Sequence, residues 1–192
     1  MKKIIKLLVS MTLIMFVLNA QAEKLFELSA GQVEIGNGDT EFAQLAYGFE
    51  LESYPVAVLI RLGAALDDIE NETNLGLGGE AAEARGYTST LSETAADLKF
   101  ASLLASPDLA LTDNFSVYGL AGYSLISADV QTIGRVNGIA VVDGSLGEID
   151  GGYFSYGAGL RLNFIESFSI KAEYFALSSD ISTTSVGFAW HF

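Results

Sequence analysis

The sequence predicts an all-β fold: an eight-stranded antiparallel up-and-down barrel that spans a membrane. Three observations predict it. Long stretches alternate with a period of two, one parity large and apolar, the other small with isolated charges. The 192-residue chain is 50% hydrophobic, yet its only long uninterrupted apolar run is at the N-terminus. Turn residues divide the rest into segments of strand length.

Composition excludes several functions. With 10 basic against 24 acidic residues the net charge is −14, which repels phosphate backbones, so no nucleic-acid partner is expected. The chain has no Cys, which removes disulfides, iron–sulfur clusters and thiolate zinc sites. A single His leaves little for imidazole metal sites or catalysis. No cofactor is expected.

Residues 1–22 read as a secretory leader. Lys2, Lys3 and Lys6 form a basic start, Leu7 to Leu18 an apolar run, and Ala20-Gln21-Ala22 a small-x-small cleavage site. The run falls short of the roughly 20 residues that a membrane helix needs. The expected division is therefore a leader over 1–22 and a barrel over 23–192. Cleavage after Ala22 leaves 7 basic against 24 acidic groups, a net charge of −17.

Strands are expected at about 24–35, 40–52, 55–67, 93–111, 114–129, 149–164, 168–177 and 182–192. The first alternates as far as Gln32. In the second, Ala43, Leu45, Tyr47, Phe49 and Leu51 face Gln44, Ala46, Gly48 and Glu50 on the other parity. The third sets Val56, Val58, Ile60, Leu62, Ala64 and Leu66 against Ala57, Leu59, Arg61, Gly63 and Ala65. The fourth changes parity around Lys99–Ser102, which predicts a bulge or a different boundary. The fifth mixes small and large residues on both parities, so its faces stay unassigned. The sixth sets Phe154, Tyr156, Ala158, Leu160, Leu162 and Phe164 against Ser155, Gly157, Gly159, Arg161 and Asn163. The eighth sets Thr184, Val186, Phe188, Trp190 and Phe192 against Ser185, Gly187, Ala189 and His191.

The chemistry of the two faces selects a membrane. A soluble sheet buries its large residues and wets its polar ones. A membrane barrel turns large residues toward lipid and small or polar ones inward. Only closure leaves no unpaired backbone edge in hydrocarbon. Phe49, Tyr54, Phe164, Phe168, Trp190 and Phe192 lie near strand ends, as an interfacial girdle requires. Turns at 53–55, 112–114 and 165–167 are tight, whereas the segments near 67–92 and 130–149 are expected to be long outer loops.

Several stretches resemble a known family. Residues 101–107 (Ala-Ser-Leu-Leu-Ala-Ser-Pro) and 111–123 (Leu-Thr-Asp-Asn-Phe-Ser-Val-Tyr-Gly-Leu-Ala-Gly-Tyr) are similar to the central hairpin of small outer-membrane proteins of the OmpX/Ail type. Phe154 to Asn163 resembles their sixth strand, and Ser185 to Phe192 their last, with the terminal Phe typical of bacterial outer-membrane barrels. The resemblance implies the outer membrane of a Gram-negative bacterium. It implies outer-membrane lipids, lipopolysaccharide and the barrel-assembly machinery as partners, and a monomer. Val186, Phe188, Trp190 and Phe192 resemble the signature that this machinery reads. Short outer turns near 36–40 and 178–181, and the strongly acidic chain, differ from the adhesive members of the family.

An eight-stranded barrel has an interior just wide enough for its own side chains. The inward parities hold Glu50, Arg61, Arg161, Lys171 and Glu173, with Glu27 beside them. If Phe164 pairs with Phe168, Arg161 faces Lys171 across the hairpin. Two like charges there need acids between them, which Glu173 and Glu27 are placed to supply. A charge network plugging the lumen is the expectation.

Catalytic and metal motifs fall short. His191, with Ser185 and Ser29 on its face, lies too near the end of the chain to read as a hydrolase site. The acidic run Asp67 to Asn74 places Thr73 and Gly79 where a calcium loop needs Gly and Glu. Gly76 to Gly79 lacks the strand–helix context of a phosphate loop. From Asp67 to Glu93 seven acids face Arg85 alone, and from Asp129 to Asp150 four acids face Arg135. Weak, diffuse binding of Mg²⁺ or Ca²⁺ is expected to hold these segments against the negative lipid surface, and they are otherwise expected to be mobile. The functional expectation is a structural or surface-interaction protein with no open pore and no enzymatic activity. Its rivals are a narrow passage for small or hydrophobic solutes and a lipid-modifying enzyme.

Overall fold

A computed structural model describes residues 23–51, 54–74, 89–136 and 139–192. The leader expected at 1–22, the glycines at 76–79 and Ser53 lie outside the described residues. The elements are β1 (Lys24–Ile35), β2 (Gly38–Glu50), β3 (Val56–Ala65), β4 (Ile69–Asn74), β5 (Ser89–Thr112), β6 (Phe115–Val136), β7 (Ile139–Ile165), β8 (Phe168–Ala176) and β9 (Ile181–His191).

The sheet closes on itself. Pairing runs β3-β2-β1-β9-β8-β7-β6-β5, and β3 pairs β5 to complete the circuit. β4 adds no ninth stave, because it resumes pairing with β5 beyond the point where β3 stops. The result is an eight-stranded antiparallel barrel. The start of β1 and Phe192 lie at one mouth, where the Lys24 amide donates to the Phe192 carbonyl at 2.9 Å. At the opposite mouth Ile35 pairs with Gly38 across Gly36-Asn37. Gly36 has φ 61°, the value that a two-residue hairpin requires of Gly at its first central position.

The alternation organises both faces. Val186, Phe188, Trp190 and Phe192 point outward and are exposed, while Ser185, Gly187 and Ala189 between them are buried. β1 keeps its alternation through Ile35, past the point where the sequence pattern fades. Its inward side simply changes chemistry, from Glu27 and Ser29 to Val33. The parity change expected in the fourth strand is a bulge between Ala96 and Lys99, with Asp97 at φ 55°. The faces of β6 are settled: Ser116, Tyr118, Leu120, Ser124 and Ile126 are buried inside. Large residues on that inner parity blur the pattern in the sequence.

Four expectations are corrected. Ile165, not Phe164, pairs with Phe168, because a register shift between Asn163 and Ile165 absorbs one residue; Arg161 still faces Lys171. Phe49, expected in the outward girdle, is buried between its cross-strand neighbours Lys24 and Val58. The segment 130–149, expected as a loop, is mostly strand, since β6 and β7 stay paired from Ser127–Asp150 to Val136–Ile139. In the 67–92 segment, Ile69–Asn74 forms β4.

Candidate functional site

The lumen is filled in two layers. Near the middle, Glu27 on β1, Arg61 on β3, Tyr118 on β6, and Lys171 and Glu173 on β8 converge, each less than 5% exposed. Arg61 grips Glu173 with both terminal guanidinium nitrogens, at 2.5 and 3.0 Å. The Tyr118 hydroxyl donates to the same carboxylate at 3.0 Å, and the Lys171 ammonium at 3.2 Å. Lys171 also donates to Glu27 at 2.5 Å, and Arg61 reaches that carboxylate at 3.5 Å. Charged groups taken out of water are tolerable only when paired and hydrogen-bonded in this way.

Arg161 joins from below. It lies 3.9 Å from Glu27 and donates to Asp108 at 2.8 Å. Its guanidinium stands 5.1 Å from the centre of the Tyr118 ring, and the Lys171 ammonium stands 5.8 Å from it. The two facing cations thus share the Tyr118 ring and the Glu27 carboxylate. Glu50 stands apart from this cluster. It is at the mouth where β1 starts and β9 ends, 3.3 Å from His191 Nδ1. Below the cluster the mouth opens into a vestibule of about 860 Å³.

Toward the other mouth the interior turns apolar. Val33, Phe42, Ile69, Leu98, Phe100, Ile126, Phe175, Leu177 and Ile181 are buried there as one cluster. Between the layers Ser102, Ser124 and Ser155 link in series at 2.6 and 2.7 Å, and Ser155 donates to the Leu177 carbonyl at 2.7 Å. Tyr118 and Asp108 are members that the sequence pattern misses. A signal for Tyr118 exists: it pairs with Gly159, where a Cβ would meet the Tyr118 ring at 2.4 Å.

The structure gives His191 no serine partner. Ser185 accepts from Gln44 at 3.4 Å, and Ser29 Oγ has no hydrogen-bond partner. Among the described residues no group of three or more His, Cys, Asp or Glu could hold a metal ion.

Comparison with known proteins decides the class. Residues 7–192 match the family described as outer membrane protein beta-barrel domain. The chain belongs to that family. It is an outer-membrane β-barrel. Virulence membrane protein PagC of Salmonella typhimurium is 30% identical over 90 residues, 47% of this chain and 46% of PagC. The matched stretch therefore spans about half of that relative. The attachment invasion locus protein Ail of Yersinia pestis superposes with a TM-score of 0.52 at 18% identity, covering 90% of this chain and 100% of Ail. The N-terminal barrel of Pseudomonas aeruginosa OprF gives 0.55 at 16% identity, over 90% of this chain and 100% of that barrel. At such identities the likeness shows the fold. In barrels of this class the mouth where the first and last strands meet faces the periplasm and the longer strands project outside.

Proposed function

We propose that this outer-membrane barrel neither conducts nor catalyses, and that it presents its raised sheet outside the cell as a contact surface. The filled lumen carries the reading. Glu27, Arg61, Tyr118, Lys171 and Glu173 occupy the interior of the barrel at mid-height, and the apolar cluster fills it above. Extension beyond the wall supports the second half: β7 pairs with β8 only from Tyr156 to Ile165, whereas its pairing with β6 continues to Ile139. Planar-bilayer recording tests the closed lumen. Wild-type protein and the Glu173→Gln variant should both stay at background current; a steady current from the wild type would favour the narrow passage instead. Unaltered lipid A in an overexpressing strain is the matching expectation for the absence of enzymatic activity.

The surface chemistry separates this barrel from one relative. Ail has been crystallised with the heparin analogue sucrose octasulfate. Here Glu34, Asp39, Glu41, Asp67, Asp68 and Glu70 are all outward or exposed at the outer end, which disfavours a polysulfated ligand. Diffusely held Mg²⁺ or Ca²⁺ would screen these acids from lipopolysaccharide phosphates. A chelator should then speed protease nicking between Asp68 and Ser92 on intact cells. An unchanged rate would remove the cations from the proposal.

A further inference from the structure

β1 and β9 are the first and last strands, and their pairing is the longest-range contact of the barrel. Joining Leu25 to His191 closes the loop of greatest sequence length, so it carries the largest closure entropy. The periplasmic end of this seam holds an unusual contact. Glu50 is on β2 and His191 on β9, the two neighbours of β1, yet their side chains meet at 3.3 Å. The contact therefore passes across the inner side of β1, where Leu25 is fully buried. The backbone beneath is tied on both sides. Glu50 donates to the Glu23 carbonyl at 2.9 Å, Phe192 to the Lys24 carbonyl at 3.0 Å, and Lys24 to the Phe192 carbonyl at 2.9 Å.

We propose that Glu50 and His191 form a latch that locks β1 between β2 and β9 once the barrel has closed. The pair cannot form earlier, because β9 reaches Glu50 only after it has docked on β1. The chemistry of the pair suits a latch. The imidazole Nδ1 lies 3.3 Å from the carboxylate, within reach of an ion pair when the ring is charged. Other charged groups around the vestibule are Glu23 beside β1, Asp108 on β5, Asp113 in the β5–β6 turn, Arg161 on β7 and Glu166 in the β7–β8 turn. Arg161 is engaged by Asp108 at 2.8 Å, so His191 is the cation-forming group that faces Glu50 directly.

Amide hydrogen exchange on the full barrel in detergent tests the latch. In Glu50→Ala and in His191→Phe, the Lys24, His191 and Phe192 amides should exchange about tenfold faster at pH 7, while Leu103 and Tyr123 on β5 and β6 keep their wild-type rates. The double variant should be no faster than either single one, since one contact is lost in all three. Unchanged seam rates in the single variants, additive effects in the double variant, or equal acceleration at the seam and on β5–β6 would each overturn the proposal.

Discussion

Glu173 shows how far the parity of a single residue can be read. Its place on the inward side of β8, two positions from Lys171, follows from the alternation alone. So do the inward places of Arg61 and Arg161, and their approach to shared carboxylates. Tyr118 does not follow, because β6 carries large residues on its inner parity and Gly119 and Ala121 on its outer one. The missing information is three-dimensional: a ring can occupy that position only because Gly159 on β7 leaves room. Removing charge from Glu173 leaves Arg61 and Lys171 short of their shared acceptor. Glu173→Gln should therefore destabilise the barrel by about 3 kcal/mol, the range for breaking one partner out of a buried pair. Tyr118→Phe removes one hydrogen bond to a charged group and should cost about 1.5 kcal/mol. Denaturant titration of the refolded protein in detergent ranks the two; a Tyr118→Phe cost above that of Glu173→Gln would contradict the geometry.

At the scale of the element, the instructive case is the β6–β7 hairpin. Its membrane part is visible in the sequence as glycine-and-aromatic alternation, whereas its outer part reads there as loop. The segment does contain strand formers, Val130, Thr132, Ile133, Ile139, Val141 and Val142, but their acidic and glycine neighbours hide them. What extends the strands is register. Pairing set at Tyr123–Phe154 carries on outward through Ser127–Asp150, and each further pair closes no new loop. The bulges between Val130 and Gln131 and between Gly134 and Arg135 show where this continuation takes up extra residues. The outer part should then depend on the barrel, while the barrel does not depend on it. Replacing residues 128–149 by an Asn-Gly turn should leave the heat-modifiable mobility of the folded protein intact and shift its unfolding midpoint by only a few degrees. Loss of the fast-migrating species would show that the extension is needed for folding.

For the whole molecule, closure is the property on which everything else depends, because an open seam would leave backbone groups unpaired in hydrocarbon. Phe192 bears on closure in two ways. Its backbone makes the last two hydrogen bonds of the seam, both to Lys24. Its ring is exposed on the outside, with its centre 5.8 Å from that of Trp190, in the row with Phe188 and Val186 that resembles an assembly signal. Phe188 sits in the same row, its ring 5.4 Å from Phe168, so a purely lipid-facing role would make the two positions interchangeable. The expectation is that they are not. Deleting Phe192 should sharply lower the fraction of heat-modifiable protein in the outer-membrane fraction, whereas Phe188→Leu, which keeps an apolar group on the lipid face, should leave it near wild type. Phe192→Ala separates the two contributions of the terminal residue, since it keeps both backbone bonds and removes only the ring. If the ring is what the insertion machinery reads, Phe192→Ala assembles as poorly as the deletion. Assembly of Phe192→Ala at the level of Phe188→Leu would instead place the whole effect in the two seam hydrogen bonds and rule out a terminal aromatic signal.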